Sequence, residues 1–282
     1  MMKGEDDTTT PRDTRLKAHH TARLETRNVS VNALRWFMRF STNPVPDGAT
    51  STIVLVHGFA VSSLYMIPLA RQLALSHHVY APDLPGYGNT ERPRRVLRLP
   101  ELADSLIAWM DVVGIDGPVF VGNSYGAQII VELALRHPQR ISHGVLVGPT
   151  LDPSGGNFPR QVGRLLLDVT REPLSLWFIQ TWDYLRFGPR RLVVTYLDML
   201  RDPLRDKISG VTCPLLVTRG ERDPIATEPW TRHLASSAPC GQHAVIPGAA
   251  HAANYSTPVT LAAIVNEFLA ATAIPDRMEQ PS

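Results

Sequence analysis

The sequence predicts an α/β protein in which a mostly parallel sheet is wound with helices on both faces. Short apolar runs alternate with stretches of helical spacing along most of the chain. These runs are apolar throughout, rather than at every second position, as expected for strands covered on both faces. Repeated alternation of strand and helix favours parallel strands joined by crossovers. A chain of 282 residues, 44% of them hydrophobic, is also long enough to bury one large core.

The expected elements begin near residue 29. The segment VSVNALRWFMRF is rich in strand formers, and STIVLVHGF is a short buried strand that ends at Gly58. Strand and helix then alternate up to Pro149. Helices are expected at 63–78, 99–115 and 125–139, and strands at the start of 78–88, at 118–123 and at 143–149.

The alternation stops after Pro149. Residues 152–208 have helical periodicities without a clear strand, which predicts a helical insertion between two strands of the sheet. The chain then closes with a strand in CPLLVTRGERDP, a helix near 226–238, the strand QHAVIPGAAH and a last helix with Thr257 as N-cap and Pro258 as first residue. We therefore expect three parts: a flexible N-terminal segment at 1–28, a core formed by 29–151 and 209–282, and the insertion at 152–208.

Composition and charge exclude several classes of function. The chain has 28 basic and 26 acidic residues and a formal charge of +2, which gives no strong field for nucleic acid, an anionic membrane or a polyanionic substrate. The N-terminal twenty residues are polar, and no run of 18 apolar residues occurs, so we expect a cytoplasmic protein without a membrane span. Cys213 and Cys240 lack the spacing of metal ligands and are expected to be reduced.

The stretch VFVGNSYGAQII carries the first candidate catalytic residue, Ser124. Gly122 and Gly126 lie two residues to either side of it, between an apolar strand and a helix. Glycine is needed there if the strand end and the helix start nearly touch, because side chains would collide. Such a turn lifts the serine hydroxyl above the sheet and aims the helix N-terminus at the group that it attacks. The alternative is a serine that only caps the helix.

This GxSxG between a strand and a helix resembles the nucleophile elbow of the α/β-hydrolase fold. The resemblance extends from about residue 29 to residue 273, interrupted only by the insertion. It implies a catalytic triad in the chain order Ser, acid, His, with Ser124 as nucleophile. It also implies that the insertion is a helical cap over the active site.

The resemblance assigns the other two triad residues. His251 lies in a loop of small residues between the last strand and the last helix, the family's position for the base. Asp223 directly follows the strand PLLVTRGER and is the expected acid, with Glu221 two residues before it as a rival. Asp152, after the preceding strand, remains open as an alternative because some α/β hydrolases carry the acid there.

Two backbone N–H groups are expected to hold the oxyanion. One belongs to Tyr125, the residue after the nucleophile, and the other to Phe59 in the sequence HGF, with Ala60 as the alternative. His57 in the same sequence is expected to be structural and to brace this loop.

We expect a serine hydrolase that cleaves carboxylic esters of hydrophobic small molecules, without metal or cofactor. Relatives that open epoxides or remove halide carry Asp at the elbow, so Ser124 argues against them, and Ala252 after His251 replaces a Trp common in carbon–carbon bond hydrolases. The same triad would also serve a lactone, thioester or carbon–carbon bond hydrolase, a lyase or an acyltransferase, and a ligand-binding relative with vestigial activity is a further alternative. The sequence does not specify the oligomeric state.

An apolar pocket that binds the substrate is expected from aromatic residues of the cap. These aromatic residues are Phe158, Trp177, Phe178, Trp182, Tyr184, Phe187 and Tyr196.

Overall fold

A computed structural model describes residues 22–42, 51–150, 152 and 158–272, without the side chains of 158–162. The described residues form one eight-stranded sheet in the order β1-β2-β4-β3-β5-β6-β7-β8. The strands are β1 Leu24–Val31, β2 Leu34–Ser41, β3 Thr52–Val56, β4 His78–Pro82, β5 Val119–Asn123, β6 His143–Val147, β7 Leu215–Gly220 and β8 Gly241–Ile246. All pairs from β4 to β8 are parallel, whereas β1 with β2 and β2 with β4 are antiparallel. The mostly parallel sheet is confirmed.

The central strands are apolar throughout because each face of the sheet has its own core. In β3, Val54 and Val56 pack into one buried cluster, and Ile53 and Leu55 pack into a second cluster. Successive side chains of a strand point to opposite faces, so a strand covered on both faces has no polar side.

The N-terminal edge of the sheet differs from the sequence expectation. β1 begins at Leu24, so residues 24–28 belong to the sheet and not to a flexible segment, whereas residues 1–21 lie outside the described residues. Most side chains of this edge strand are exposed, and it therefore lacks the apolar run that marks the central strands. Asn32 and Ala33 both have positive φ, 50° and 62°, which turns the strand-forming segment into a two-strand hairpin.

The described chain has ten helices: α1 Ile67–Leu73, α2 Leu99–Val113, α3 Tyr125–Arg136, α4 Phe158–Val169, α5 Leu174–Phe187, α6 Pro189–Arg201, α7 Leu204–Lys207, α8 Glu228–Ser237, α9 Ala253–Ser256 and α10 Pro258–Thr272. The last helix begins at Pro258, as predicted. The first is shorter than predicted, because a 3₁₀ turn at Ser63–Met66 precedes it and it ends at Leu73. None of the helices in the described ranges has the length and apolarity that a membrane crossing requires.

Helices α4 to α7 all lie between β6 and β7, in the segment expected as an insertion. Acidic side chains attach them to the rest of the fold. Asp183 of α5 accepts a hydrogen bond from Ser62 Oγ at 2.7 Å, and Asp198 of α6 accepts one from Leu99 N at 2.8 Å. The insertion therefore directs carboxylates inward, toward the sheet and its loops.

Candidate active site

Ser124 lies in a strained turn between β5 and α3. Its φ is 58° and its ψ is −118°, a conformation that non-glycine residues rarely adopt. A Cβ on Gly126 would lie 2.4 Å from Val56 O, and one on Gly122 would lie 2.7 Å from the Gly126 carbonyl. The collisions inferred from the spacing of the two glycines are thus present. The Ser124 side chain makes no capping hydrogen bond to α3, so the alternative of a helix cap is wrong.

Asp223 and His251 are hydrogen-bonded to each other. Asp223 Oδ2 lies 2.9 Å from His251 Nδ1, and the Asp223 side chain is fully buried. The other carboxylate oxygen accepts hydrogen bonds from Ile225 N at 2.7 Å and Ala226 N at 3.0 Å. An Nδ1–H that donates to this carboxylate leaves Nε2 as the ring nitrogen able to take a proton.

The two other candidate acids have different partners. Asp152 forms an ion pair with Arg164, with 3.4 Å between Oδ2 and Nη1. Glu221 Oε2 accepts a hydrogen bond from Gly248 N at 2.9 Å. Of the three carboxylates considered from the sequence, Asp223 is the one whose side chain the structure places against the His251 ring.

A cavity of about 490 Å³ lies between the sheet and the insertion. Ser124, His251 and Phe59 all line it, so the structure brings these three sequence-predicted residues to one space. Helices α4 and α6 contribute Leu165 and Met199 to its wall. A cavity of this size fits a small-molecule substrate.

The two expected oxyanion donors lie at the start of α3 and in the turn after β3. Tyr125 is the first residue of α3, so its N–H has no acceptor within the helix. The turn that carries Phe59 is held by Tyr65, whose hydroxyl accepts from Gly58 N at 3.0 Å and donates to Asn123 Oδ1 at 2.8 Å. The loop after β3 is thereby joined to the residue before Ser124.

Residues 53–264 match the family model of the alpha/beta hydrolases. The chain belongs to this family. Abhydrolase domain-containing protein abhd-5.2 of Caenorhabditis elegans is 27% identical over 239 residues, which cover 75% of this chain and 52% of that protein. The 2-hydroxymuconate semialdehyde hydrolase of Pseudomonas sp. (strain CF600) is 33% identical over 126 residues, 42% of each chain. This chain thus spans about half the length, or less, of these relatives.

A solved structure shares the fold. The enol-lactonase from Burkholderia xenovorans LB400 superposes with a TM-score of 0.72 at 23% identity, over 86% of this chain and 100% of that chain. The likeness shows the fold of this α/β hydrolase.

His57 braces the loop after β3 in this α/β hydrolase, in agreement with the sequence expectation. Its ring contacts Gly58 O through Nδ1 at 3.1 Å, and Nε2 accepts from Leu84 N at 3.0 Å. Complete burial lowers the pKa of His57, which favours the neutral ring that this pair of hydrogen bonds requires. Both ring nitrogens are occupied, so His57 is not available as a base.

Two carboxylates of the insertion hold the loop that carries His251. Asp168 of α4 accepts a hydrogen bond from His251 N at 3.1 Å, and Glu172, just beyond α4, accepts one from Ala252 N at 2.6 Å. Burial raises the pKa of both carboxyl groups, that of Glu172 to about 7. Sequence reasoning missed these residues, because nothing in their spacing relates a helix of the insertion to a loop about eighty residues later.

The carboxylates around His251 change its basicity. Burial by itself lowers the pKa of the ring, but the charge and hydrogen bond of Asp223 and the charges of Asp168 and Glu172 outweigh that effect. The pKa of His251 is raised to about 9. The family's expected base is therefore mostly protonated at neutral pH in the free protein.

The aromatic residues of the insertion divide into three groups. Tyr184 and Tyr196 line the cavity. Phe187 is buried and packs against Tyr87, with ring centroids 4.5 Å apart. The third group, Trp177, Phe178 and Trp182, does not line the cavity, contrary to the expectation of an aromatic pocket. Phe178 and Trp182 are exposed, whereas Trp177 is only 37% exposed and its Nε1–H donates to Val169 O at 2.9 Å. The side chain of Phe158 lies outside the described residues.

Proposed function

We propose that this α/β hydrolase is a serine esterase that cleaves carboxylic esters of hydrophobic small molecules through an acyl-enzyme on Ser124. The observation that carries the proposal is the position of Ser124. It lies on a strained elbow, in the wall of the same cavity as a buried, hydrogen-bonded His251–Asp223 pair. A serine hydroxyl needs a base and an oriented imidazole to act as a nucleophile near neutral pH.

The reaction follows from these positions. Ser124 Oγ attacks the ester carbonyl carbon while His251 Nε2 takes the hydroxyl proton, and Asp223 stabilises the resulting imidazolium. The carbon–oxygen bond to the alcohol then breaks, and His251 returns the proton to the departing alcohol. A water molecule, deprotonated by His251, attacks the acyl-enzyme, the bond to Ser124 breaks, and the carboxylic acid leaves.

The N–H groups of Phe59 and Tyr125 hold the negative oxygen that forms at each tetrahedral stage. Each such donor stabilises the transition state by about 3 to 4 kcal/mol. Tyr65 and Asn123 fix the position of the two donors relative to each other, because their hydrogen bond joins the loop after β3 to the elbow.

The insertion acts as the cap that selects the substrate. Side chains from the loop after β3 and from α4 and α6 give the cavity an apolar wall, among them Val61, Leu165, Met199 and Leu200. An apolar wall favours a hydrophobic acyl or alcohol group over a charged one.

The proposal is tested by hydrolysis of p-nitrophenyl acetate, butyrate and octanoate with the wild-type protein and Ser124→Ala. We expect turnover by the wild type only, a thermal unfolding temperature for Ser124→Ala near that of the wild type, and labelling of Ser124 by a fluorophosphonate. The preferred chain length measures the room under the cap.

Other outcomes assign different functions. A wild type that is labelled on Ser124 but hydrolyses none of the three esters would exclude a general esterase and favour a lactone, thioester, carbon–carbon bond or acyl-transfer reaction of the same triad. A wild type that is neither labelled nor active would favour a ligand-binding relative.

A further inference from the structure

The outer face of α5 is mostly apolar. We use this name for Leu174, Trp177, Phe178, Trp182 and Leu185, whose spacing of three and four residues places them on one side of the helix. Their exposed fractions are 68%, 37%, 78%, 59% and 75% in that order. These side chains form an apolar stripe in contact with solvent, interrupted by the exposed Thr181.

The opposite side of α5 already supplies its packing. Leu176 and Phe187 are buried, and Asp183 is held by Ser62. Gln180 and Tyr184 line the cavity. A surface helix normally has polar residues on its solvent side, and an exposed contiguous apolar patch marks an interaction site. Within the outer face of α5, Trp177 is tied to α4 by the hydrogen bond from its Nε1–H to Val169 O at 2.9 Å, whereas Leu174, Phe178, Trp182 and Leu185 are mostly exposed to solvent.

The exposed charges of residues 163–210 are mostly basic. Between residues 163 and 210, where every side chain is described, the exposed charged residues are Arg186, Arg190, Arg201, Arg205 and Asp206. The other acidic residues of this segment face inward or are paired: Asp168, Glu172, Asp183, Asp198 and Asp202. A formal charge near zero for the whole chain hides this separation, since four arginines and one acidic residue, Asp206, are exposed in this part of the insertion.

We propose that the outer face of α5 docks on an anionic phospholipid surface. Trp, Phe and Leu side chains on one face of a helix bury at the boundary of headgroups and acyl chains, while Arg side chains at the rim pair with lipid phosphates. Arg190, at the start of α6, is placed for the second role, whereas the Arg186 guanidinium donates to Asn89 Oδ1 at 3.2 Å.

A second copy of this chain fits the face less well than a lipid surface does. In a symmetric pair, the same patch meets itself, so the exposed arginines of this segment would mostly approach like charges, with Asp206 as the one exposed acidic residue of 163–210. An anionic bilayer supplies the opposite charge at every point of the rim.

The position of the cavity is consistent with docking. Leu165 and Leu200 line the cavity and are also 51% and 41% exposed, so the cavity reaches the surface on the insertion. The idea that an apolar substrate passes from the lipid into the cavity rests on the proposed function. The docking of the outer face of α5 on a membrane does not depend on that function.

Flotation with vesicles tests the proposal. The probes are vesicles of phosphatidylcholine alone and vesicles that also contain phosphatidylglycerol. We expect the wild type to float with the anionic vesicles, and the double variant Phe178→Ser, Trp182→Ser to bind them at least about tenfold more weakly, because two anchoring side chains are lost. Arg190→Glu should weaken binding to the anionic vesicles, and added salt should do the same.

Matched controls separate docking from general stickiness. Val112→Ser, Val259→Ser removes two apolar side chains that are 52% and 62% exposed on α2 and α10, away from the insertion. It should bind vesicles like the wild type. Because Phe178 and Trp182 line no part of the cavity, fluorophosphonate labelling of Ser124 should stay unchanged in the first double variant.

Three results would overturn the proposal. The first is a wild type that stays off anionic vesicles and shows no blue shift of tryptophan emission with them. The second is an equal loss of binding in the Val112, Val259 control. The third is a dimer in light scattering that Phe178→Ser, Trp182→Ser converts to a monomer, without vesicle binding by either protein, which would assign the face to a second copy.

Discussion

Asp168→Asn should move the activity of this α/β hydrolase toward lower pH. The proposed base, His251, has its pKa raised to about 9 and must be neutral to take the proton of Ser124. At pH 7 the neutral fraction is then about 1%, since each unit of pH below the pKa removes a factor of ten. The wild-type kcat/KM should accordingly rise about a hundredfold from pH 7 to an alkaline plateau.

Asp168 contributes to that shift through its charge. Its carboxylate accepts a hydrogen bond from His251 N at 3.1 Å and is one of the groups that raise the pKa of the ring. Asparagine keeps the carbonyl acceptor for this N–H and removes the charge. We expect the inflection of kcat/KM to move to lower pH, with more activity at pH 7 and an unchanged plateau.

The assay is kcat/KM for p-nitrophenyl butyrate from about pH 6 to about pH 10, with spontaneous hydrolysis subtracted. Asp111→Asn is the control, because Asp111 is an exposed carboxylate paired with Arg140 on the core. It should leave the profile unchanged. A wild-type inflection at the ordinary histidine pKa of 6.5, or an Asp168→Asn profile that coincides with that of the wild type, would refute the reasoning.

Three further predictions concern stability and the triad. Burial raises the pKa of Glu172 from 4.5 to about 7, so the free energy of unfolding falls by about 3 kcal/mol as the pH rises from 4.5 to about 7. Because glutamine carries no charge, Glu172→Gln should raise the thermal unfolding temperature more at pH 8 than at pH 5. Gly126→Ala should cost more than about 3 kcal/mol in chemical unfolding or prevent folding, because its Cβ would lie 2.4 Å from a backbone oxygen, whereas Gly163→Ala meets nothing within 4 Å and should be neutral or stabilising. Asp223→Asn should lower kcat by about four orders of magnitude while Asp152→Asn changes it little, and the reverse ranking of the two rates would give the role of the acid to Asp152.

The sheet and the elbow were predictable because their signals are local. A strand buried on both faces must be apolar at every position, and the turn at Ser124 must have glycine where two backbones come within contact distance. Neither inference needs knowledge of which segments are neighbours in space. The edge strand β1 lacks such a signal, since its exposed side chains are free to be polar, and its start at Leu24 was missed.

The pairing of Asp223 with His251 could be proposed from chain order, but the sequence left Asp152 as a competitor. The choice between the two carboxylates depends on which loop reaches the His251 ring. Only the tertiary structure shows that Asp223 is hydrogen-bonded to this ring and that Asp152 lies beside Arg164. The aromatic residues of the insertion show the same limit. Helical spacing alone does not say which side of α5 faces the core, so the sequence does not distinguish Tyr184 from Trp182. In the structure Tyr184 lines the cavity and Trp182 is exposed to solvent.

The sequence by itself determined the α/β architecture and the glycines around Ser124, because these depend on periodicity and glycine spacing, while Asp223 and His251 were predicted as triad residues from the resemblance to the α/β hydrolases. Tertiary structure alone decided which carboxylates surround His251, that Asp168 and Glu172 hold its loop, and that the apolar side of α5 faces outward. The physical reason is that pKa values, hydrogen bonds between distant segments and exposure depend on distances through space, which spacing along the chain does not specify.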